Sequence, residues 1–264
     1  MLNLSHSGKR EQPPRWRTPS RGRLTWREQL REARSLIAGN VIGIPHSIKA
    51  VIADRLPRRA QPLPRLVPPP DTAICDSAGL IAAAAYSYSL QCHVHRCWHW
   101  ATLIASNEGI NFDAETLYCA ALLHDIGLTP AGVRGMACEC FAINGARAAA
   151  GMLKDRGAPD HTVGGVAEAI ARHFDARLPA DASNEVTLLH DAAYLDVVGS
   201  GVHRTSVAQR RAVLAAHPRT GFAAEFAAAL KREAEQRPRS RAALSHRLGA
   251  SVAMRLNPLE HHLT

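Results

Sequence analysis

The feature that most constrains the fold is a succession of helix-type segments that runs from residue 72 almost to the carboxyl terminus. Apolar residues in these segments recur at the helical period, and short polar, glycine or proline breaks separate them. Aromatic residues make up only 5% of the chain, and no run alternates apolar and polar residues as a half-buried strand would. We therefore predict an all-α bundle. Its predicted helices are residues 72–89, 93–106, 114–123, 144–156, 163–174, 185–198, 206–216, 221–236 and 240–256.

The first 70 residues differ in composition from the rest of the chain. They contain 14 Lys/Arg and 4 Asp/Glu, so they account for the whole of the chain's net charge of +9. A proline-dense stretch at residues 57–70 separates this basic extension, residues 1–70, from a predicted helical domain at residues 71–264. Because the domain itself is nearly neutral, we expect no specific nucleic-acid binding by it.

Within the extension only one short helix is predicted. Residues 1–23 combine arginine, proline and serine with a single acid, Glu11, and are predicted to be disordered. Thr25 and Glu28 follow with the spacing of a capping box, and an amphipathic pattern continues to about residue 38.

The apolar runs and the cysteines indicate in which compartment of the cell the protein is expected. No apolar run reaches the length that spans a bilayer, and the amino end lacks a charged-then-apolar signal sequence. The six cysteines show no repeated spacing, and a chain of this length can bury a core without disulfides. We expect a cytoplasmic protein with no membrane span and a small-molecule substrate. The alanine-rich tail helices offer apolar faces that could pair in a homo-oligomer.

Residues of ligand type lie on four predicted helices or helix ends, and they are His93, His124 with Asp125, His173 and Asp196. Helices that converge in a bundle can bring imidazole and carboxylate groups to one divalent ion. The most informative segment, LYCAALLHDIGLT, is an apolar helix that ends with the His-Asp dipeptide. Burying an acid and an imidazole there is costly unless a partner satisfies them, and a metal would do so. For Asp196 the alternative is an ordinary acid on a helix face.

Other histidines compete for the same interpretation. His190-Asp191 repeats the dipeptide but lacks the preceding apolar helix and the following Gly-Leu-Thr, so we interpret it as a look-alike. His95 and His99 form an i, i+4 pair, which is the geometry of a helical zinc site, although the glutamate of a metalloprotease motif is absent. We favour His93 over His95 as the ligand.

These segments together resemble the HD-domain superfamily, and more narrowly its cyanamide hydratase-like branch. The resemblance rests on H-x-x-R-x-W from His93, LYCAALLHDIGLT, FAINGARAA from Phe141, AIARH ending at His173, and LDVVG around Asp196. The tail segments HPRTGFAAEFAAAL and RPRSRAA continue it. It covers residues 70–258 and implies an HD-domain helical bundle.

The resemblance also implies a metal centre. By it, His93, His124, Asp125 and Asp196 bind one divalent transition metal, and His173 lies at the edge of the site. The resemblance favours zinc, while nitrogen and oxygen ligands also suit iron or manganese. The role of His173 stays open between ligand, general acid or base, and neutral wall.

Catalytic and substrate-binding residues are predicted around this centre. A bound metal with open coordination positions makes water nucleophilic near neutral pH, and the predicted catalytic residues are Asp125, His173 and Arg96. Asn144 is predicted to bind substrate through its amide, with a helix cap as the alternative. Thr129 is predicted to offer a pocket hydroxyl, with a turn residue as the alternative.

Three functions stay open from the sequence. The first is hydration or hydrolysis of a small C–N compound that is nitrile- or cyanamide-like, although the family commonly has acids where this chain has Ala142 and Asn144. The second is phosphohydrolysis of a nucleotide or phosphoester, for which Arg96, Arg134 or Arg147 would bind phosphate. No Lys or Arg occurs between the first two of these arginines, which weighs against it. The third is a non-catalytic HD module that binds a ligand and signals.

Overall fold

The computed structural model describes residues 22–38, 52, 63–133 and 140–261. No strand occurs within these ranges, so the all-α prediction is confirmed. None of the described helices is both long enough and apolar enough to cross a bilayer. The α-helices are α1 (residues 26–38), α2 (Ala73–Ala85), α3 (Tyr88–Glu108), α4 (Ala114–Leu123), α5 (Pro130–Val133), α6 (Phe141–Lys154), α7 (Asp160–Arg172), α8 (Asn184–Val198), α9 (Val207–Ala216), α10 (Phe222–Gln236), α11 (Arg241–Arg247) and α12 (Ala250–Arg255).

Helix α3 is the central element of the bundle. Most of its residues are buried, including Trp98 and Trp100, and helices α4, α8 and α9 pack around it. Ser87 caps its start by accepting a hydrogen bond from the Leu90 amide, and Gly109 ends it in the left-handed region at φ 67°. Helix α7 in turn packs against α4, α6 and α8. The helices that carry the predicted ligands therefore surround one core.

Several predicted helix boundaries are wrong, and α6 and α7 each begin three residues before the predicted residues 144 and 163. The break between the first two helices of the domain lies at Tyr86 and Ser87 rather than after residue 89, because Tyr86 is extended and the Ser87 side chain caps the next helix. The last predicted helix, residues 240–256, is two short helices, because Gly249 adopts φ 88° and begins α12. By contrast, α4 has its predicted bounds, and α8 and α10 differ by one residue at the start.

Helix α1 begins at the predicted capping box. The Thr25 amide donates to the Glu28 carboxylate at 2.7 Å, and the Glu28 amide donates to the Thr25 hydroxyl at 3.3 Å. The helix packs on the domain, where the Ala176 amide donates to the Glu32 carboxylate at 3.0 Å. The disorder predicted for residues 1–23 falls almost wholly outside the described residues.

Two glycines let the backbone that follows Asp125 approach another helix closely. The 3-10 helix Ile126–Leu128 packs on the start of α6. A Cβ on Gly127 would lie 2.0 Å from the Phe141 carbonyl oxygen, and a Cβ on Gly145 would lie 3.1 Å from the Gly127 nitrogen. A side chain at Gly127 would therefore push the two backbones apart, so this contact fixes the peptide that follows the His-Asp dipeptide.

Candidate metal centre

The ligand-type side chains meet where the carboxyl ends of α4 and α7 face α3. His124 is the C-cap residue of α4, Asp125 follows it, and His173 is the C-cap residue of α7. His93 projects from α3. We call these four residues the ligand set, and each is at most 2% exposed. Carboxyl ends of helices carry partial negative charge, so this location favours a cation.

Backbone carbonyls orient both C-cap imidazoles. The Nδ1 of His124 lies 2.8 Å from the Ala121 carbonyl oxygen, and the Nδ1 of His173 lies 2.6 Å from that of Ile170. A carbonyl oxygen only accepts, so each Nδ1 carries the proton and donates it. Each Nε2 then has a free lone pair, which is the tautomer that a metal-bound imidazole requires.

A carboxylate orients His93 in the same way. Its Nδ1 lies 2.7 Å from Oδ2 of Asp196, while its Nε2 lies 3.1 Å from the Nε2 of His124 and 3.3 Å from Oδ2 of Asp125. Because both Nδ1 atoms donate elsewhere, the neutral forms of the two rings would face each other with nitrogen lone pairs beside a carboxylate. Such an arrangement is stable when a proton or a metal ion lies between the atoms.

Asp125 lacks the donors that a buried carboxylate needs. Apart from the His93 contact at 3.3 Å, neither of its oxygens has a hydrogen-bond partner among the described residues. Burial raises the pKa of this carboxyl, but the neighbouring His124 and His93 outweigh burial and lower the pKa to about 2. An ionised, donor-poor carboxylate beside imidazole lone pairs fits a divalent transition metal.

Two overlapping groups of atoms are close enough to share one ion. In each group the candidate atoms lie within 4.8 Å of one another. One group is His124, Asp125 and His173, and the other is His93, Cys97 and His124. Cys97 was not among the predicted ligands, although its i, i+4 spacing from His93 is visible in the sequence. Burial raises the pKa of the Cys97 thiol and keeps it protonated, so the nitrogen and oxygen ligands are the better donors.

Asp196 lies beside the ring of His93, at the nitrogen that does not face the ligand set. Its Oδ1 accepts from Arg96 at 2.8 Å and from the Trp100 indole at 2.7 Å. Its Oδ2 lies 2.8 Å from Arg96 and 3.2 Å from Arg219. With the His93 contact, these donors occupy the lone pairs of both oxygens. Asp196 therefore meets the ligand set through His93, at 2.7 Å, and in this arrangement its contacts fit the carboxylate partner that metal-binding histidines commonly have.

Arg96 lies behind the ligand set and does not line the pocket in front of it. Its guanidinium donates to both oxygens of Asp196, and to the backbone carbonyls of His217 at 3.3 Å and Pro218 at 2.8 Å. All three of its nitrogens are therefore committed within the protein. This placement fits a residue that positions His93 through Asp196, and it differs from the substrate contact expected of a catalytic residue.

An apolar pocket leads to the ligand set. Its walls come from α1, α8, α10, α12 and the segments next to them, and Tyr194 and Ser245 add hydroxyl groups. Among the described residues that line it, none is Lys or Arg. Arg147 is not part of the lining, and Arg134 lies outside the described residues. The larger apolar side chains of the wall are Leu36, Phe174, Val197, Val198, Phe226, Leu230, Leu248 and Met254.

The two predicted substrate-binding residues do not line this pocket. Thr129 ends the 3-10 helix, and its hydroxyl donates to the Ile126 carbonyl at 2.7 Å, as expected of a turn residue. Asn144 is buried in the first turn of α6. The N-cap residue of that helix is Cys140, so the helix-cap alternative for Asn144 is wrong.

Two further residues that were not predicted, Phe222 and Arg219, support His93. The ring of Phe222 stacks on the imidazole at a centroid distance of 4.5 Å. Arg219 contacts the Asp196 carboxylate and also donates to its backbone carbonyl at 2.7 Å. Both residues belong to the HPRTGF segment, which carried the resemblance but gave no sign of what it contacts.

Comparison with known proteins bears on the same segment. Residues 90–198 match the family model of the HD domain, a span that includes the whole ligand set and Asp196. This match supports the HD-domain superfamily, whose members are generally metal-dependent hydrolases, and it does not confirm the cyanamide hydratase-like branch. No curated protein sequence matches the chain.

Proposed function

We propose that this chain is an HD-domain enzyme, a metal-dependent hydratase or hydrolase of a small, uncharged C–N compound, such as a nitrile with an apolar substituent. One observation carries the proposal: an apolar pocket ends at a set of nitrogen and oxygen ligands, and no Lys or Arg lines its described part. Nucleotides and phosphoesters bring negative charges that enzymes neutralise with Lys, Arg or several metal ions. An uncharged substrate needs no such partner.

The ligand set would hold one divalent metal, through the Nε2 atoms of His93, His124 and His173 and the carboxylate of Asp125. A single ion bound there supplies a Lewis acid and makes water nucleophilic near neutral pH. Zinc is the metal that the cyanamide hydratase-like resemblance favours, and the donor atoms suit it. Asp196 would contact the metal ligand His93 and not the metal itself, and it would keep the proton on Nδ1 of His93 by accepting its hydrogen bond.

The protein's own groups would supply orientation and proton acceptance. Asp125 is ionised at neutral pH, and its Oδ1 lies 3.8 Å from the His173 Nε2 with no hydrogen-bond donor among the described residues. This oxygen is placed to accept a proton from the attacking water. In the hydration of a nitrile, the water oxygen bonds to carbon, a proton reaches nitrogen, and tautomerisation gives the amide. The apolar walls exclude bulk water from this step.

The test of the proposal is a comparison of substrate classes with the full-length, untagged protein loaded with zinc. We expect amide formation from small nitriles or urea formation from cyanamide, and no phosphate release from a panel of nucleotides. Asp125→Asn should abolish turnover, whereas Asp191→Asn, the same change in the look-alike dipeptide, should leave turnover intact. Phosphate release without turnover of any C–N compound would refute the proposal in favour of a phosphohydrolase. Bound metal with no turnover of either class would favour a ligand-binding module.

A homologous series of linear nitriles tests the role of the apolar walls. Each added methylene that enters the pocket buries apolar surface worth about 0.8 kcal/mol, so kcat/KM should rise about fourfold per methylene until the space is filled. Leu230→Ser should flatten this dependence without loss of metal, because Leu230 lines the wall and does not belong to the ligand set. Values of kcat/KM that do not depend on chain length would contradict binding of the substituent in this pocket.

His173 offers a test within the ligand set. Burial, the largest cause, and the neighbouring His124 lower the pKa of His173 to about 3, so its imidazole is neutral at pH 7 and able to ligate. We expect His173→Gln to lower the metal content of the purified protein. If the variant instead keeps its metal and loses one limb of the pH–rate profile, His173 is a general base and not a ligand.

A further inference from the structure

One side of helix α1 exposes an apolar stripe. Successive residues of an α-helix are about 100° apart, so Trp26, Leu30 and Ile37 lie within about 40° of one another along one side of it. Their side chains are 68%, 48% and 52% exposed. Leu36, about 100° away from Ile37, lines the pocket of the ligand set instead. The helix therefore forms part of the pocket wall with one side and exposes large apolar side chains on another.

A basic stripe runs directly beside the apolar one. Arg27, Arg31 and Arg34 lie about 80–140° around the helix from Trp26, and all three are exposed. The guanidinium carbon of Arg27 lies 5.2 Å from the centre of the Trp26 ring, so a cation and an aromatic ring meet where the two stripes adjoin. We call the two stripes together the outer face of α1.

The two acids of α1 lie on the other side of the helix. Glu28 and Glu32 are about 200° and about 240° around the helix from Trp26. The Glu28 carboxylate accepts from the Thr25 amide in the capping box, and the Glu32 carboxylate accepts from the Ala176 amide at 3.0 Å. Both acids are therefore used within the fold, and the outer face carries positive charge.

The end of the domain adds surface of the same kind at the same pocket. Val252 of α12 and Leu256, its C-cap residue, are exposed, and Leu248 just before α12 lines the pocket and is also exposed. Arg247 and Arg255 are exposed beside them. Because α1 and α12 are both walls of one pocket, exposed apolar and basic side chains lie on two of its walls.

Charge complementarity decides which partner fits the outer face. An apolar stripe bordered by arginines is typical of a helix that lies in the surface of a bilayer containing anionic lipids. A second copy in a two-fold dimer would bring the same arginines against each other. The neighbouring segments of the chain are basic as well, since residues 1–21 contain five Lys/Arg and one acid and residues 39–62 contain four and one. A nucleic acid would match the basic stripe and leave the apolar one uncovered.

We propose that the outer face of α1 docks this protein on the surface of an anionic lipid bilayer. The apolar stripe enters the boundary between headgroups and acyl chains, and the basic stripe contacts the anionic headgroups. Because the same helix lines the pocket through Leu36, docking places a pocket wall at the bilayer, where apolar compounds accumulate. Docking does not depend on which reaction the ligand set catalyses.

Co-sedimentation of the full-length, untagged protein with lipid vesicles tests the proposal. We expect binding to phosphatidylcholine vesicles that contain about 30% phosphatidylserine, and much weaker binding to phosphatidylcholine alone. Each arginine near such a surface raises affinity about fivefold, so Arg27→Gln combined with Arg31→Gln should weaken binding about 25-fold. The matched control, Lys154→Gln combined with Arg211→Gln, removes two exposed charges outside the outer face and should weaken binding at most about twofold.

A second pair of variants separates insertion of the apolar stripe from charge attraction alone. Leu30→Ser should weaken binding to the anionic vesicles about tenfold, because the stripe then buries less apolar surface. Leu80→Ser changes a side chain of α2 that is 71% exposed and lies outside the outer face, and it should bind as the wild type does. Equal binding of the two serine variants, or no binding of the wild type to the anionic vesicles, would overturn the proposal. A dimer in solution that Leu30→Ser dissociates, or co-sedimentation with nucleic acid and not with vesicles, would overturn it too.

Discussion

The chain contains the His-Asp dipeptide twice, and the two copies have opposite surroundings. At His124-Asp125 both residues are buried at a helix end, and the carboxylate lacks hydrogen-bond donors. His190-Asp191 lies within α8, where His190 contacts the Asp191 carboxylate at 3.0 Å and the Asp175 carbonyl at 3.0 Å. A His-Asp dipeptide in the sequence is therefore not, by itself, evidence of a binding site. A binding site is indicated where the protein buries both groups and leaves their lone pairs without partners.

Arg204 explains why the second copy needs no ion. Its guanidinium bonds to the Asp191 carboxylate and also to Glu108 at 2.6 Å and 2.8 Å. Tyr194 stacks on the ring of His190 at 4.6 Å. At His190-Asp191 the Arg204 guanidinium therefore supplies the positive charge that a metal ion would supply at His124-Asp125. The comparison yields three predictions, which differ in the size of the expected effect.

The largest effect is expected from exchanging the carboxylate for an amide at each copy. Asp125→Asn should lose the metal of the ligand set, because an amide oxygen carries no charge to attract the ion and leaves the facing Nε2 atoms with no carboxylate beside them. Asp191→Asn should bind metal as the wild type does. Elemental analysis and isothermal titration calorimetry with Zn²⁺ measure the difference, and equal losses in the two variants would show that the copies are not distinguished by their surroundings.

An intermediate effect is expected from Asp196→Asn, which tests the support behind the first copy. Removing such a carboxylate partner of a metal-binding histidine typically weakens metal binding about 10–100-fold. The change also leaves the buried Arg96 without its counter-ion, which typically costs about 3–5 kcal/mol of folding stability, whereas Arg219 keeps Glu260. Calorimetry and denaturant unfolding give the two quantities separately. Complete loss of metal in a folded variant would instead support the direct ligand role that the family resemblance implies for Asp196.

The smallest effect is expected from Arg204→Gln, which removes the cation at the second copy. Because this ion pair is partly exposed, its loss should cost at most about 1 kcal/mol of unfolding free energy and no metal. The effect should depend on pH. The hydrogen bond from Arg204 lowers the pKa of Glu108 below 4.5; burial raises the pKa of Asp191, but His190 and Arg204 outweigh it and lower the pKa below 3.8.

The sign of that dependence follows from the two lowered pKa values. Both carboxylates bind fewer protons in the folded than in the unfolded protein near pH 4, so their contribution is complete above about pH 4.5 and is lost as pH falls through the folded pKa values. Urea unfolding at pH 7 and at pH 3 measures it. The difference between wild type and Arg204→Gln should be present at pH 7 and shrink at pH 3, and a constant difference would contradict this origin.

The sequence was sufficient for the helices and for most of the centre. Helical periodicity and caps predicted the elements, and the apolar helix before His124 indicated which dipeptide to choose. Both signals come from residues that are neighbours in the chain. Polar groups are costly at a buried helix end, so their presence there indicates that a partner satisfies them. The choice of His93 over His95 agrees with the placement of His93 in the ligand set.

Other details depend on contacts between distant segments. Asp196 and Arg96 stay a predicted ligand and a predicted catalytic residue, and their positions depend on Arg219 and on the carbonyls of His217 and Pro218, more than 20 residues away in the chain. The pocket likewise needs Leu36 from α1 and side chains from α10 and α12, which no motif links to the centre. Local patterns do not encode such long-range pairings.

The close contact at Gly127 has a consequence for how this protein tolerates variation. Most positions around the pocket contact one another through side chains, where a larger residue on one wall can be matched by a smaller one opposite. At Gly127 the obstacle is the Phe141 carbonyl oxygen, a main-chain atom present whatever residue occupies position 141. No second substitution can therefore compensate a first one there. In a saturation library, position 127 should accept glycine alone, while the walls that determine substrate choice stay free to diversify around a fixed centre.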